Sequence, residues 1–250
     1  MQSLVSCQLL HYPHSVGVLG GGFHSVPTLQ FLKRLREATA AEGDLLRIPL
    51  VLCGDPNASH HLGALIQQRE FLEDAGAKCI ALPCPSSLRW FTCLDSGSSA
   101  KLLNVVDSLV EELHRAELRP LQGAARPRIG ILTCQGLEFY QEKLEQEGFE
   151  VVLPDKASKD RLIVPAMAAL ERRDFQGHRS LIRVAIHMLL VNAVNRVMGD
   201  DLTAALFADD PLLLQCIDPA NSLAKATVTW VKQQIQTHDI KCRGRRACDL

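Results

Sequence analysis

The chain has 250 residues, 47% of them hydrophobic, 22% charged and 5% aromatic, a balance that can bury a core and that excludes disorder, collagen and coiled coil. Its 27 Lys and Arg meet 28 Asp and Glu for a net charge of -1, so no positive field is available for a phosphate backbone and nucleic acid is not an expected partner. No run approaches the roughly 18 apolar residues of a membrane span, and nine cysteines without a CxxC pair make neither a disulfide framework nor a zinc ribbon.

Met1 to Ser15 carries no Lys or Arg and only short apolar pieces, so it does not make a secretory signal. The expected location is the cytoplasm, with Ser3, Ser6 and Ser15 leaving an organelle address open. Val16 to Leu19 is the first predicted strand and ends in Gly20-Gly21-Gly22. A helix follows, with Ser25 as N-cap, Pro27 in its first turn and Leu29, Leu32 and Leu35 on one face. Ile48 to Cys53 is the second strand. Leu62, Leu65, Ile66, Arg69 and Leu72 mark the next helix, closed by Gly76 as a left-handed cap. Cys79 to Pro83 reads as a buried strand, and a long amphipathic helix through Leu102, Val106, Leu109, Val110 and Leu113 ends the first half.

Leu118 to Arg128 holds two prolines, a Gly and three Arg without apolar period, and reads as a domain connection. After it, Ile129-Gly130-Ile131-Leu132 copies Val16-Gly17-Val18-Leu19 at an offset of about 113 residues. The second half continues with a helix to Gly148, a strand Phe149 to Leu153, and helices around Val164 to Arg172 and Leu181 to Asn195. A last helix spans Ser222 to Gln236, and the basic, aperiodic tail from Lys241 is expected to be mobile. The expected fold is α/β, two pseudo-symmetric domains with parallel sheets flanked by helices. Residues 1-119 are expected to form the first domain and residues 120-218 the second.

Gly20, Gly21 and Gly22, between a strand and a helix, suit either backbone N-H groups turned towards a carboxylate-sized anion or a tight turn that only permits close packing. Cys84 closes a predicted strand and is followed by Pro85, Ser86 and Ser87, which places it at the sheet edge where ligands of α/β folds bind. A helix start there would lower a thiol from its ordinary value of roughly 8.5, although a cysteine is equally a common core residue. Cys53, Cys79, Cys93 and Cys216 read as core, while Cys134 follows the second glycine-type strand. His60-His61 could supply a general acid or a metal ligand, but adjacent histidines point apart on a helix or strand. No metal site is predicted.

Several segments in order resemble the cofactor-independent aspartate/glutamate racemases, in particular their divergent plant-type relatives. Val16-Gly17-Val18-Leu19-Gly20-Gly21 is similar to that family's opening strand and turn, and Ile80-Ala81-Leu82-Pro83-Cys84 to the strand that ends in its first catalytic cysteine. Phe139-Tyr140-Gln141, Gly148 to Pro154, Asp209-Asp210-Pro211-Leu212 and Cys216-Ile217-Asp218-Pro219 are similar to segments of the second half and the closing turn. The resemblance implies that the C-terminal helix returns, so that residues 219-250 join residues 1-119 in the first domain; it also implies an active-site cleft between the two domains and an amino-acid racemase acting by cysteine proton transfer at the α-carbon, without cofactor. Cys84 would be catalytic, and Gly20, Gly21, Gly22, Ser86, Ser87, Thr133, Cys134, Gln135 and Gly136 would bind a small dicarboxylate or amino-acid substrate. Family members are often dimers, which leaves room for a homodimer here.

Three departures stand out. Alignment to the family's second cysteine strand puts Gly199 at the second cysteine, leaving Asp200, Asp201 or a water to stand in. Pro85 and Ser86 follow the first cysteine where Asn and Thr are usual, and Leu137 stands where a carboxylate-binding Thr is usual. They bring in two alternatives: a single-cysteine enzyme of the same superfamily, such as a decarboxylase or diacid isomerase, and a non-catalytic small-acid-binding protein.

Overall fold

A computed structural model describes residues 11-20, 25-43, 46-55, 61-121, 123-133, 136-200, 206 and 210-248. The chain forms two parallel four-stranded sheets. In the first, strands β1 (Val16–Gly20), β2 (Leu50–Gly54), β3 (Cys79–Leu82) and β4 (Lys101–Asn104) lie in the order β2-β1-β3-β4. In the second, β5 (Arg128–Ile131), β6 (Glu150–Val152), β7 (Arg196–Met198) and β8 (Cys216–Ile217) repeat that order as β6-β5-β7-β8. The helices are α1 (Val26–Ala41), α2 (Leu62–Asp74), α3 (Phe91–Ser96), α4 (Val105–Arg115), α5 (Leu137–Gln146), α6 (Lys156–Ser158), α7 (Val164–Glu171), α8 (Phe175–Val191) and α9 (Pro219–Cys248). Two compact units result, Met1–Val105 with Leu223–Leu250, and Val106–Ser222. The division falls in the first turn of α4, so that helix groups with the second unit, whereas the Pro-rich connection had suggested a boundary near residue 119.

In the first unit β1 and β3 are buried at every position, as strands covered on both faces must be. Leu65 and Leu72 of α2 pack with Leu19, Ile80 and Leu82, while Val231 of α9 packs with Val16 and Cys79. Asp218 starts α9, its carboxylate accepting the Ala220 N-H at 3.0 Å. The N-H groups of Gly76 and Ala77 donate to the Glu73 and Leu72 carbonyls at 2.9 and 3.0 Å, the double bond that closes α2 and requires the positive φ of Gly76.

The second unit repeats this construction. Ile186 and Leu189 of α8 pack with Val194 and Val197. Gly17 lets Leu72 approach β1, since an added Cβ would stand 3.2 Å from the Leu72 Cβ; Gly130 does the same for Leu189 beneath β5, with Leu189 Cδ1 3.0 Å from the added atom. The repeated glycine therefore marks where one helix presses on a central strand.

Three expectations need correction, and one short strand carried no expectation. Leu102 lies in β4, not in a helix: Lys101–Asn104 runs into α4 without a Gly or Pro between them, so helical period masks the strand. The buried face of α1 is Thr28, Phe31 and Leu35, while Leu29 is 44% exposed, because the bulkier Phe31 sets the face. β8 is only two residues long and carries no strand pattern of its own. The tail from Lys241 is helical to Cys248 rather than irregular; Lys and Arg are good helix formers and are favoured near a C-terminal end by the helix dipole.

Candidate functional site

In each unit the candidate residues gather at the carboxyl edge of the sheet, where loops leave the two central strands. At the first edge β1 ends in Gly20, and Ser25 caps α1 by accepting the Thr28 N-H at a long 3.4 Å. A Cβ on Gly20 would fall against Thr28 Oγ1, closer than real Cβ atoms come to any atom. Thr28 is fully buried and its hydroxyl has no hydrogen-bond partner among the described residues. Close packing against Thr28 is thus one reason for Gly20; Gly21 and Gly22, the other half of the proposed anion turn, lie outside the described residues.

Cys84 follows β3 at the same edge, half-buried and in extended conformation. The helix it opens is a six-residue 3-10 segment, Pro85–Trp90, so the dipole at the thiol is weaker than an α-helix would supply. The sulfur has a nearer polar partner: Cys84 Sγ lies 2.9 Å from Ser86 Oγ. Ser87 is turned inward. It is 2% exposed, and its hydroxyl and N-H both point to the Cys84 carbonyl, at 2.6 and 3.2 Å. Ser87 therefore holds the Cys84 backbone. Asn104, 3% exposed, ends β4 opposite Leu82.

The other thiols divide by burial. Cys79 is pushed up to about 12 by burial, and Cys216 also to about 12 by burial and then by the Asp210 carboxylate. Burial, then Asp55, raises Cys53 as well. Cys93 is exposed, against the expectation of a core position. His61 precedes α2 without a side-chain capping bond, His60 lies outside the described residues, and no cluster of three or more metal-ligating side chains occurs among the described residues.

At the second edge Thr133 follows β5 and its hydroxyl donates to Asp200 Oδ2, just beyond β7. Gly136, at φ 64°, is the left-handed entry to α5; Cys134 and Gln135 lie outside the described residues. A cavity of about 190 Å³ opens here, walled by Ile131, Leu137, Leu153 and Ile163 with Thr133 and Lys159 as its polar lining. Asp210, its side chain 1% exposed, pairs with Arg183 of α8 and accepts the Leu212 N-H at 3.0 Å, anchoring the chain that leads into β8.

The strand pairing also corrects the internal alignment. β1 and β5 correspond at an offset of 113, as Val16 and Ile129 show. Val16 pairs with Cys79 and Ile129 with Arg196, however, so β3 and β7 correspond at 117 (196 less 79). Leu72 and Leu189, the side chains over Gly17 and Gly130, are separated by the same 117 (189 less 72), and so are the left-handed residues Gly76 and Ala193. Counted on this register, Leu82 corresponds to Gly199, Pro83 to Asp200 and Cys84 to Asp201. Gly199 thus falls two residues short of the position equivalent to Cys84, and a carboxylic side chain occupies that place in the sequence. Asp201 itself lies outside the described residues.

No protein-family model matches the chain. Among solved structures it is similar to an aspartate racemase homologue from Pyrococcus horikoshii, at 18% identity with a TM-score of 0.74, covering 88% of this chain and 99% of the other. It is also similar to the aspartate racemase of Picrophilus torridus, at 20% identity and a TM-score of 0.63, covering 87% and 94% of the two chains. The glutamate racemase of Francisella tularensis, solved with D-glutamate, matches at 13% identity and a TM-score of 0.56 over 88% and 81%. With its two parallel sheets in matching strand order, the chain therefore has the fold of the aspartate and glutamate racemases.

Proposed function

We propose that the chain is an amino-acid racemase of the aspartate/glutamate type that moves the α-proton with Cys84 and needs no cofactor. The observation that carries this reading is the placement of Cys84: a half-buried thiol just past a central strand, at the carboxyl edge, on a fold shared with aspartate racemases. As a thiolate, Sγ accepts the Ser86 hydroxyl hydrogen at 2.9 Å, a charge-assisted bond that stabilises the base before reaction. The thiolate takes the α-proton from one face, and the electron pair left on carbon delocalises into the substrate carboxylate, where fixed donors stabilise it. A proton delivered to the opposite face completes inversion with no net change in composition. We assign that delivery to the carboxyl group of Asp201, which the register makes the counterpart of Cys84.

A thiol and a carboxyl are unequal partners. This inequality favours, as a second reading, a single-cysteine enzyme that protonates a carbanion from one side, as a decarboxylase or diacid isomerase does. Incubation with each enantiomer of aspartate and glutamate, followed by chiral chromatography, separates the two. The opposite enantiomer should appear with the parent chain and not with Cys84→Ala. Binding by calorimetry without conversion of any of the four would instead make the chain a small-acid binder.

A further inference from the structure

α2 carries a charge where its pattern calls for an apolar residue. Arg69 lies on the buried face with Leu65 and Leu72 and is 6% exposed. Its Nη1 donates to the Leu94 carbonyl at 3.0 Å, its Nε stands 3.6 Å from Glu73 Oε2, and its Nη2 stands 3.3 Å from Glu70 Oε1. A buried ion pair is a poor source of stability, because desolvation offsets most of its Coulombic gain. What Arg69 supplies is a donor fixed in one place.

That donor acts on the segment that starts at Cys84. The 3-10 turns Pro85–Trp90 run directly into α3, so Cys84 stands at one end of a continuous arm and Leu94 near the other. Both ends are gripped. At the near end Ser87 holds the Cys84 carbonyl. At the far end Arg69 takes the Leu94 carbonyl, one of the last four of α3. Gly97 makes room for the guanidinium, since a Cβ there would stand 2.6 Å from Nη1. Glu73, one turn along α2, holds the residues that follow by accepting from Ser98 Oγ, Ser99 N and Ala100 N. Between the ends, Trp90 and Phe91 pack on the core that contains Leu65 and Leu72. Trp90 Nε1 is buried without a hydrogen-bond partner among the described residues, so the indole seats the arm by packing and not by a polar contact.

We propose that Arg69 is a positioning residue for Cys84: by fixing the far end of the arm through the Leu94 carbonyl, it keeps Ser86 Oγ on Cys84 Sγ and so sets the reactivity of the thiol. The inference concerns the thiol that the proposed function names as the base, and its test reads that thiol directly.

Two substitutions disturb the same contact from opposite sides. Arg69→Met keeps most of the side-chain volume and leaves the three hydrogen bonds to Glu73 in place. Gly97→Ala sets a methyl against the guanidinium, whose flexible end can move aside at little cost to folding. Mass-mapped alkylation of the full chain at neutral pH follows Cys84, with the buried Cys79 as a reporter of general loosening. Each variant should slow labelling of Cys84 as Ser86→Ala does, about three- to tenfold, the effect of one hydrogen bond on the thiolate. Cys79 should stay protected. Arg69→Met combined with Gly97→Ala should be no slower than either alone, and adding Ser86→Ala to Arg69→Met should change little more. Arg69→Lys retains a donor for Leu94 and should recover most of the parent rate. Parent-like labelling of Cys84 in Arg69→Met and Gly97→Ala, or in Ser86→Ala, overturns the inference and leaves the proposed function standing. Labelling of Cys79 that rises together with the change at Cys84 also overturns it, because it marks loss of packing. A chain that labels as expected but converts neither enantiomer of aspartate or glutamate loses the proposed function and keeps the positioning role.

Discussion

Gly20→Ala tests whether the first edge is built on close packing. The added Cβ lands against Thr28 Oγ1, with Thr28 Cβ and Cγ2 both 3.5 Å away. Thr28 has little room to yield: it is fully buried, β-branched and on a helix, so its χ1 is stiff and rotation would put a methyl where the hydroxyl was. The end of β1 or the start of α1 must shift, and overpacking of this kind costs roughly 1-3 kcal/mol. Thr28→Ala removes the obstructing atoms. The hydroxyl it deletes has no partner among the described residues, so the variant by itself should cost about 1 kcal/mol or less, mainly for one buried methyl. The double variant should therefore be more stable than the sum of the two losses, with a coupling of about 1-2 kcal/mol. Urea unfolding at constant m-value measures all four corners of the cycle. A Gly20→Ala midpoint equal to that of the parent, or strict additivity, would show that Gly20 is not required by Thr28.

Further outcomes follow from the polar contacts and the thiols. Glu73 accepts from Ser98 Oγ, Ser99 N and Ala100 N at 2.7, 2.6 and 3.1 Å; burial pushes its carboxyl up, but these bonds, with Arg69, outweigh burial and hold it below 4.5. A depressed acid stabilises the fold above its unfolded value and loses that contribution as pH falls through the folded one, so Glu73→Gln should cost about 1-2 kcal/mol at pH 7 and progressively less below pH ~4.5 in urea melts. Arg183→Met leaves the Asp210 carboxylate buried without its cation; since the Arg183 side chain is 40% exposed, the loss should be on the order of 2 kcal/mol, below the ~3-5 of a fully buried pair, and Asp210→Asn should recover part of it in the same assay. Mass-mapped alkylation at neutral pH should label Cys84 and the exposed Cys93 well ahead of Cys79 and Cys216, and aspartate or glutamate should protect Cys84 alone. Equal protection of Cys93, or none at Cys84, would remove Cys84 from the site.

The parts legible in the sequence were those written in local pattern. The paired segments Val16 to Leu19 and Ile129 to Leu132 announced both central strands because each carries a glycine under a helix. Cys84 could be placed at a strand end because Pro85 breaks the run. β4, β7 and β8, at four, three and two residues, are too short for period to show, and Lys101–Asn104 merges with the helix behind it. The offset between the halves grows from 113 at the first strand to 117 by α2 and α8, a change no local pattern carries; on it Cys84 counts against Asp201, whereas alignment to the family's second cysteine strand points to Gly199. Nothing local to Ser87 signals that its hydroxyl turns back to the Cys84 carbonyl. Thr28 gave no local signal: it matters through its contact with Gly20.

Proton transfer at the α-carbon in deuterated solvent, read by mass spectrometry and chiral separation together, tests the central proposal most directly. With a thiol on one side and a carboxyl on the other, one enantiomer of aspartate or glutamate should exchange its α-hydrogen faster than it converts to the other enantiomer. Cys84→Ala should abolish the faster exchange. Asp201→Cys should raise the ratio of racemisation to exchange, whereas Gly199→Cys, two positions away on the register, should not. Exchange that persists undiminished in Cys84→Ala, or a ratio raised by Gly199→Cys and not by Asp201→Cys, would contradict the pairing of Cys84 with Asp201.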